Sequence, residues 1–162
     1  MEEKVKFEQY QKMKDHVLTV CSEELAVQDP KLLHPVVLAY IGDAVFSLYV
    51  RLRLTPASSH VQVLHELASR MVSAVMQAKA MDALEGDLSD EEEQIARRGR
   101  NTKSTVPKSA SVREYRQGTA FEALLGYLYL TQQKERLDDI MHRSFLLIQE
   151  AMLDERKAKK GK

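Results

Sequence analysis

Tryptophan is absent from the sequence, cysteine occurs once, at Cys21, and there are only six glycines and four prolines in 162 residues. Each shortage excludes something. One cysteine allows neither an internal disulfide nor a cysteine-based zinc site. So few glycines and prolines leave no Gly/Ser linker and few tight turns, while Leu, Ala, Met, Glu, Lys and Gln are plentiful. This composition favours helix over strand, and we expect an all-α domain. The opening residues, Met-Glu-Glu-Lys-Val-Lys, lead into no signal-peptide apolar region, which predicts a cytoplasmic protein. Between Pro35 and Arg51 the longest apolar run has fifteen residues and contains Asp43. A bilayer span needs roughly 20. A core helix and no membrane partner are therefore expected.

Net charge of one sign is missing too, with 24 Lys and Arg against 24 Asp and Glu. The distribution is uneven. Asp82 to Glu93 holds seven acids and no base, whereas Arg97 to Arg116 holds seven bases and one acid, a local net charge of +6. A field of that kind binds phosphates even on a neutral protein. The five histidines show neither HExxH spacing nor a His-Asp doublet.

Helix signals punctuate the chain. Phe7, Tyr10, Met13, Val17 and Val20 suggest an N-terminal amphipathic helix, and Pro35 begins a second helix that ends at Thr55-Pro56. Ser59 with Gln62 reads as a capping box opening one long helix through Val61, Leu64, Leu67, Met71, Val75 and Ala78, closed by Gly86. Ser89 with Glu92 and Ser111 with Glu114 are two more boxes. The first opens a short helix stopping near Gly99, and the second opens a helix through Leu130. Acids at 90–93 then need no metal, because a first helical turn favours them. A last helix after Thr131 dissolves into a basic tail from Arg156. The expected organisation is an N-terminal helical extension over 1–29, one domain over 30–153 and a disordered basic tail over 154–162.

Two of these helices pose the same question. "VVLAYIGDAVFSLYV", Val36 to Val50, is apolar on almost every side yet carries Asp43, and "TAFEALLGYLYL", Thr119 to Leu130, carries Glu122. An isolated carboxylate in an apolar interior costs several kcal/mol, or takes up a proton. Each helix also holds a glycine, Gly42 and Gly126, costing roughly 1 kcal/mol relative to alanine. Close helix approach explains both glycines. If the helices cross there, Asp43 and Glu122 converge, and a hard cation such as Mg²⁺ suits the pair. An arginine partner, Arg51, Arg53 or Arg116, is the alternative.

"LAYIGDAVFSLYVR" resembles the signature helix of the ribonuclease III catalytic domain, and "TAFEALLGYLYL" resembles its later helix, including Phe121-Glu122-Ala123. With the loop "RRGRNTKSTVPKSASVREYR", the chain is most similar to the Mini-ribonuclease III branch, which lacks a double-stranded-RNA-binding domain. The resemblance covers about residues 30 to 150. It implies a helical homodimer that cleaves double-stranded RNA with Mg²⁺, or Mn²⁺ in its place, and makes Asp43 and Glu122 the catalytic, metal-binding pair. It places Tyr40 as an aromatic knob entering the partner subunit. The products would carry 5′-phosphate and 3′-hydroxyl ends. The cellular target it implies is the stem of precursor large-subunit ribosomal RNA, with a ribosomal protein as a further partner. Larger ribonuclease III enzymes have carboxylates where this chain has Val36, Ala39 and Thr119.

In that setting the basic loop becomes a surface for RNA. Arg97, Arg98, Arg100, Lys103 and Lys108 are expected on phosphates, and Asn101, Thr102 and Ser104 on phosphate or 2′-hydroxyl oxygens. Tyr115 shares a helix face with Thr119 and Glu122, and Arg116 extends the basic run. A catalytically inactive RNA-binding dimer, and a purely structural helical protein with arginine-paired acids, are the competing readings.

Overall fold

The computed structural model describes residues 1–21, 29–103 and 105–162, which form helices joined by turns, with no strand among the described residues. In chain order these are α1 (Glu2–Val20), a 3-10 turn (Pro30–Leu32), α2 (Pro35–Leu54), a second turn (Thr55–Ala57), α3 (Val61–Met71), α4 (Ala74–Ala83), α5 (Asp90–Arg100), α6 (Val112–Leu130) and α7 (Lys134–Lys160). The all-α expectation holds.

Helices α2 and α6 form the centre of the fold. Leu38, Phe46 and Val50 of α2 meet Phe121, Leu124, Leu125 and Leu128 of α6 in a fully buried core, with Met76 from α4 and Ile140 and Ile148 from α7. Burying each such side chain contributes about 1.5 to 3 kcal/mol. Phe46 and Phe121 pack edge to face, 5.0 Å between centroids. At the crossing, a Cβ on Gly42 would overlap the carbonyl oxygen of Glu122, and one on Gly126 would overlap that of Leu38. The two backbones touch, and only glycine permits it. Length and hydropathy alone would let the stretch Pro35–Ala57 cross a membrane, but here its inner face is the domain core.

Local chemistry sets most helix ends. Ser89 Oγ accepts from the Glu92 backbone N–H at 3.2 Å while Glu92 accepts from Ser89 at 3.0 Å, and Ser111 and Glu114 repeat the arrangement at 3.1 and 3.0 Å. Both boxes read from the sequence are present. The Ser59 box is not. His60 is the N-cap of α3 with no side-chain cap, and the single long helix is broken at Val72, where Ser73 Oγ caps the new helix α4. Gly86, at φ +85°, makes the turn that follows α4.

The ends of the chain also differ from expectation. Helix α7 runs to Lys160 without dissolving at Arg156, its last turn carrying Lys157, Lys159 and Lys160, cations that suit the negative end of the helix dipole. Helix α1 forms, but none of its residues is buried, so Phe7, Tyr10, Met13 and Val17 lie on the surface.

Candidate active site

Glu122 lies at the α2–α6 crossing, largely buried, and Gln77 of α4 donates from Nε2 to its Oε1 at 2.9 Å. Burial first, and the nearby charge of Asp43 after it, raise the Glu122 carboxyl to about 7, against the opposing effect of the Gln77 bond. Asp43 is thus close enough to be felt by Glu122, as the glycine-permitted crossing requires. Its own environment corrects the sequence reading: Asp43 is exposed. A helix apolar all round has two apolar faces. One faces α6, and the other, with Val36, Val37, Tyr40, Leu48 and Leu52, is open to solvent, Tyr40 being 76% exposed. Ser47 donates a long 3.4 Å bond to Asp43.

The arginine alternative fails on geometry. Among the described residues no cation forms an ion pair with Asp43 or Glu122, and the Arg53 guanidinium lies 3.5 Å from the Tyr49 ring centroid instead. Two neighbouring carboxylates, one pushed towards neutrality and neither compensated, fit a divalent cation. No third His, Cys, Asp or Glu joins them among the described residues, so water and substrate oxygens would complete such a shell. Thr119, one turn before Glu122, donates its hydroxyl to the Tyr115 carbonyl at 3.1 Å. Tyr115 itself is half-buried one turn further back.

The basic segment reaches this centre through another glycine. A Cβ on Gly99 would stand 2.9 Å from Ala120 Cα and 3.2 Å from the Thr119 carbonyl oxygen, so the end of α5 packs against α6 one turn before Glu122. Its residues divide into two groups. Arg97, Lys103, Lys108 and Arg116 are exposed, with no ion pair among the described residues. Arg98 donates to the Lys31 and Leu33 carbonyls at 2.6 and 2.9 Å, tying α5 to the turn before α2. Arg100 pairs with Glu93 at 3.1 Å. For these two the expected phosphate role gives way to one inside the protein. Asn101 is the exposed C-cap of α5, Thr102 donates to the Arg98 carbonyl at 2.9 Å, and Ser104 lies outside the described residues.

A cleft of about 600 Å³ between α4, α5 and α6 is lined by Glu93, Arg100, Asn101, Arg116 and Gln117. The acids at 90–93 serve structure. Buried Glu92 receives Arg136 through Nε and Nη2, both at 2.9 Å, and these bonds with the Ser89 N–H hold its carboxyl low despite burial. Sequence reasoning missed Gln77 and Arg136. The one signal for Gln77 was an amide in the otherwise small and apolar run Met76-Gln77-Ala78.

Residues 36–133 match the family model of the ribonuclease III domain. This chain belongs to the ribonuclease III family. A Mini-ribonuclease 3 of Thermoanaerobacter sp. (strain X514) is 48% identical over 120 residues, 73% of this chain and 84% of the relative. A Mini-ribonuclease 3 of Enterococcus faecalis is 47% identical over 120 residues, 72% of this chain and 91% of that one. A crystal structure of a Fusobacterium nucleatum protein superposes with a TM-score of 0.67 at 29% identity, covering 72% of this chain and 94% of that one. Membership makes the chain an endoribonuclease, and its helical fold agrees.

Proposed function

We propose that this endoribonuclease cleaves double-stranded RNA at Asp43 and Glu122 with a divalent cation, Mg²⁺ or Mn²⁺, leaving 5′-phosphate and 3′-hydroxyl ends. The observation that carries the reading is the uncompensated carboxylate pair at the α2–α6 crossing, beside which Gly99 packs the end of a helix rich in arginine. A cation held there supplies positive charge against the scissile phosphate and acidifies water. Asp43, exposed, offers the open side of the pair. Glu122 would hold such a cation as its carboxylate, because a metal ligand must be ionised. Arg97, Lys103, Lys108 and Arg116, free of ion pairs among the described residues, hold backbone phosphates along the duplex. Arg100, Asn101, Thr102 and Tyr115 border that surface.

The working unit is a homodimer. The open apolar face of α2 around Tyr40 adjoins a groove of about 980 Å³ lined by Ile41, Val45, Leu48, Leu128, Tyr129 and Met141, an arrangement suited to a self-complementary interface. Two sites related by a two-fold axis match the two strands of a duplex. By the same resemblance the substrate is the stem of precursor large-subunit ribosomal RNA in the cytoplasm, with a ribosomal protein assisting.

The test is incubation with perfect duplex RNA, with and without Mg²⁺, using the parent, Asp43→Asn and Glu122→Gln. The parent should cut both strands only with Mg²⁺, and each variant should lose most cleavage while keeping RNA affinity. Cleavage by either variant at the parental rate refutes its assignment. RNA binding by the parent without cleavage would favour the inactive scaffold. A mixed dimer with one Asp43→Asn subunit should nick one strand per encounter.

A further inference from the structure

Gln77 sits on α4, 45 positions from Glu122 in sequence, and is 2% exposed. An amide so buried stays where its bonds hold it. Its Nε2 donates to Glu122 Oε1 at 2.9 Å, and no other described side chain donates to either oxygen of that carboxylate. The α4 backbone is fixed in turn: the Gln77 N–H donates to the Ser73 carbonyl at 2.9 Å, and Ser73 Oγ caps the helix. Opposite, Gly118 of α6 leaves room for the amide, since a Cβ there would stand 3.2 Å from Gln77 Oε1.

We propose that Gln77 is a positioning residue for the nuclease, its amide fixing the rotamer of Glu122 by occupying Oε1 and leaving Oε2 as the oxygen offered to the cation. This rests on the assignment of Glu122 as a metal ligand. A glutamate has three side-chain torsions, and ordering them costs entropy at each metal-binding event unless the protein has done so beforehand. Two carboxylates without a third make each one's orientation count for more. The neutral amide also orients the group without competing for it as a cation would: an arginine at this position would satisfy the charge that the metal must meet. The break between α3 and α4 acquires a purpose as well, because the Ser73 cap aims the start of α4, and Gln77 with it, at α6.

Gln77→Met keeps the shape and removes the donor, while Gln77→Asn keeps the amide and shortens its reach. Mn²⁺ binding to the RNA-free proteins is followed by electron paramagnetic resonance, beside single-turnover cleavage. Both variants should bind Mn²⁺ about 10- to 100-fold more weakly and lose a similar factor in kcat, with KM for the duplex little changed, the range usual for partners that orient metal ligands. A role in filling space alone would leave Gln77→Met like the parent, and that result overturns the proposal. An independent measurement uses the unmutated side chain: its ¹⁵N amide resonances should shift saturably with Mg²⁺ and move in Glu122→Gln. Resonances that respond to neither also overturn it. A parent that binds no Mn²⁺ removes the metal reading itself, whereas equal binding by parent and Gln77→Met removes only the role of Gln77.

Discussion

Glu122→Gln should stabilise the metal-free protein, by an amount that depends on pH. Burial and Asp43 raise this carboxyl from 4.5 to about 7, so between those values the native state holds a proton that the unfolded chain has released. Stability is then fully present below about pH 4.5 and falls as pH rises through 7, because the native state binds more protons over that window. A displacement of about 2.5 units corresponds to about 3 kcal/mol. Glutamine keeps the shape, can still accept from Gln77, and does not titrate. In EDTA the variant should match the parent near pH 4.5 and exceed it by about 3 kcal/mol at pH 8, roughly 6 to 12 °C in Tm for a chain of this size. Paired groups whose carboxyls are held low, such as Glu92 and Asp82, act in the opposite direction at more acid pH and cancel in the comparison. The assay is chemical denaturation of both proteins from pH 4.5 to 8 at one protein concentration, since a dimer's stability depends on it. Adding Mg²⁺ at pH 8 should restore stability to the parent and not to the variant. Parallel pH dependence in EDTA would refute the argument, because it would mean that Glu122 titrates alike in the folded and unfolded chain.

What the sequence made legible was short-range chemistry and one long-range consequence of it. The Ser89 and Ser111 boxes close within four residues, so their geometry follows from residue type alone. The α2–α6 crossing was readable because a glycine inside an apolar helix has few causes besides close approach, and two helices shared the feature. Asp43 was misjudged for the same reason that the crossing was found. Hydropathy shows that α2 is apolar all round but not which face meets α6, and the outer face with Tyr40 and Leu48 stays open in the single chain.

The rest depended on contacts distant in sequence. Periodicity carried straight through Val72 and Ser73, so the α3–α4 break was invisible until Ser73 was seen as a cap, and His60 displaced Ser59 at the start of α3. Charge counting treated Arg97 and Arg98 alike, yet Arg98 is spent on the carbonyls of Lys31 and Leu33, 67 and 65 positions away. Gln77 drew no notice in the sequence because its partner, Glu122, lies 45 positions away.

Arg98→Ala should cost about 1.5 to 3 kcal/mol of stability, as for hydrogen bonds to a charged group, and leave the salt dependence of RNA binding unchanged; Arg97→Ala with Lys103→Ala should do the reverse, flattening log affinity against log salt by nearly 2. An equal effect of the two on that slope would erase the distinction between them. Arg136→Ala strands buried Glu92 and should cost about 3 kcal/mol in denaturant unfolding, and a cost under 1 would show that the pair is not holding α5 to α7. Gly42→Ala tests the crossing itself. Alanine adds about 1 kcal/mol of helix propensity, but its Cβ would overlap the Glu122 carbonyl and stand 2.9 Å from the Gly126 nitrogen. Backbone has no rotamer through which to yield, so α2 and α6 must part, and overpacking costs typically 1 to 3 kcal/mol, with more expected here. The net loss should be about 2 kcal/mol or more. Gly161→Ala, whose Cβ meets nothing closer than 3.8 Å, is the control that should show none. A shift of about 1 Å between the helices also separates Asp43 from Glu122, and misplacement on that scale costs about 100-fold in rate. Parental stability and cleavage in Gly42→Ala would mean that the two helices do not touch where the carboxylates need them to.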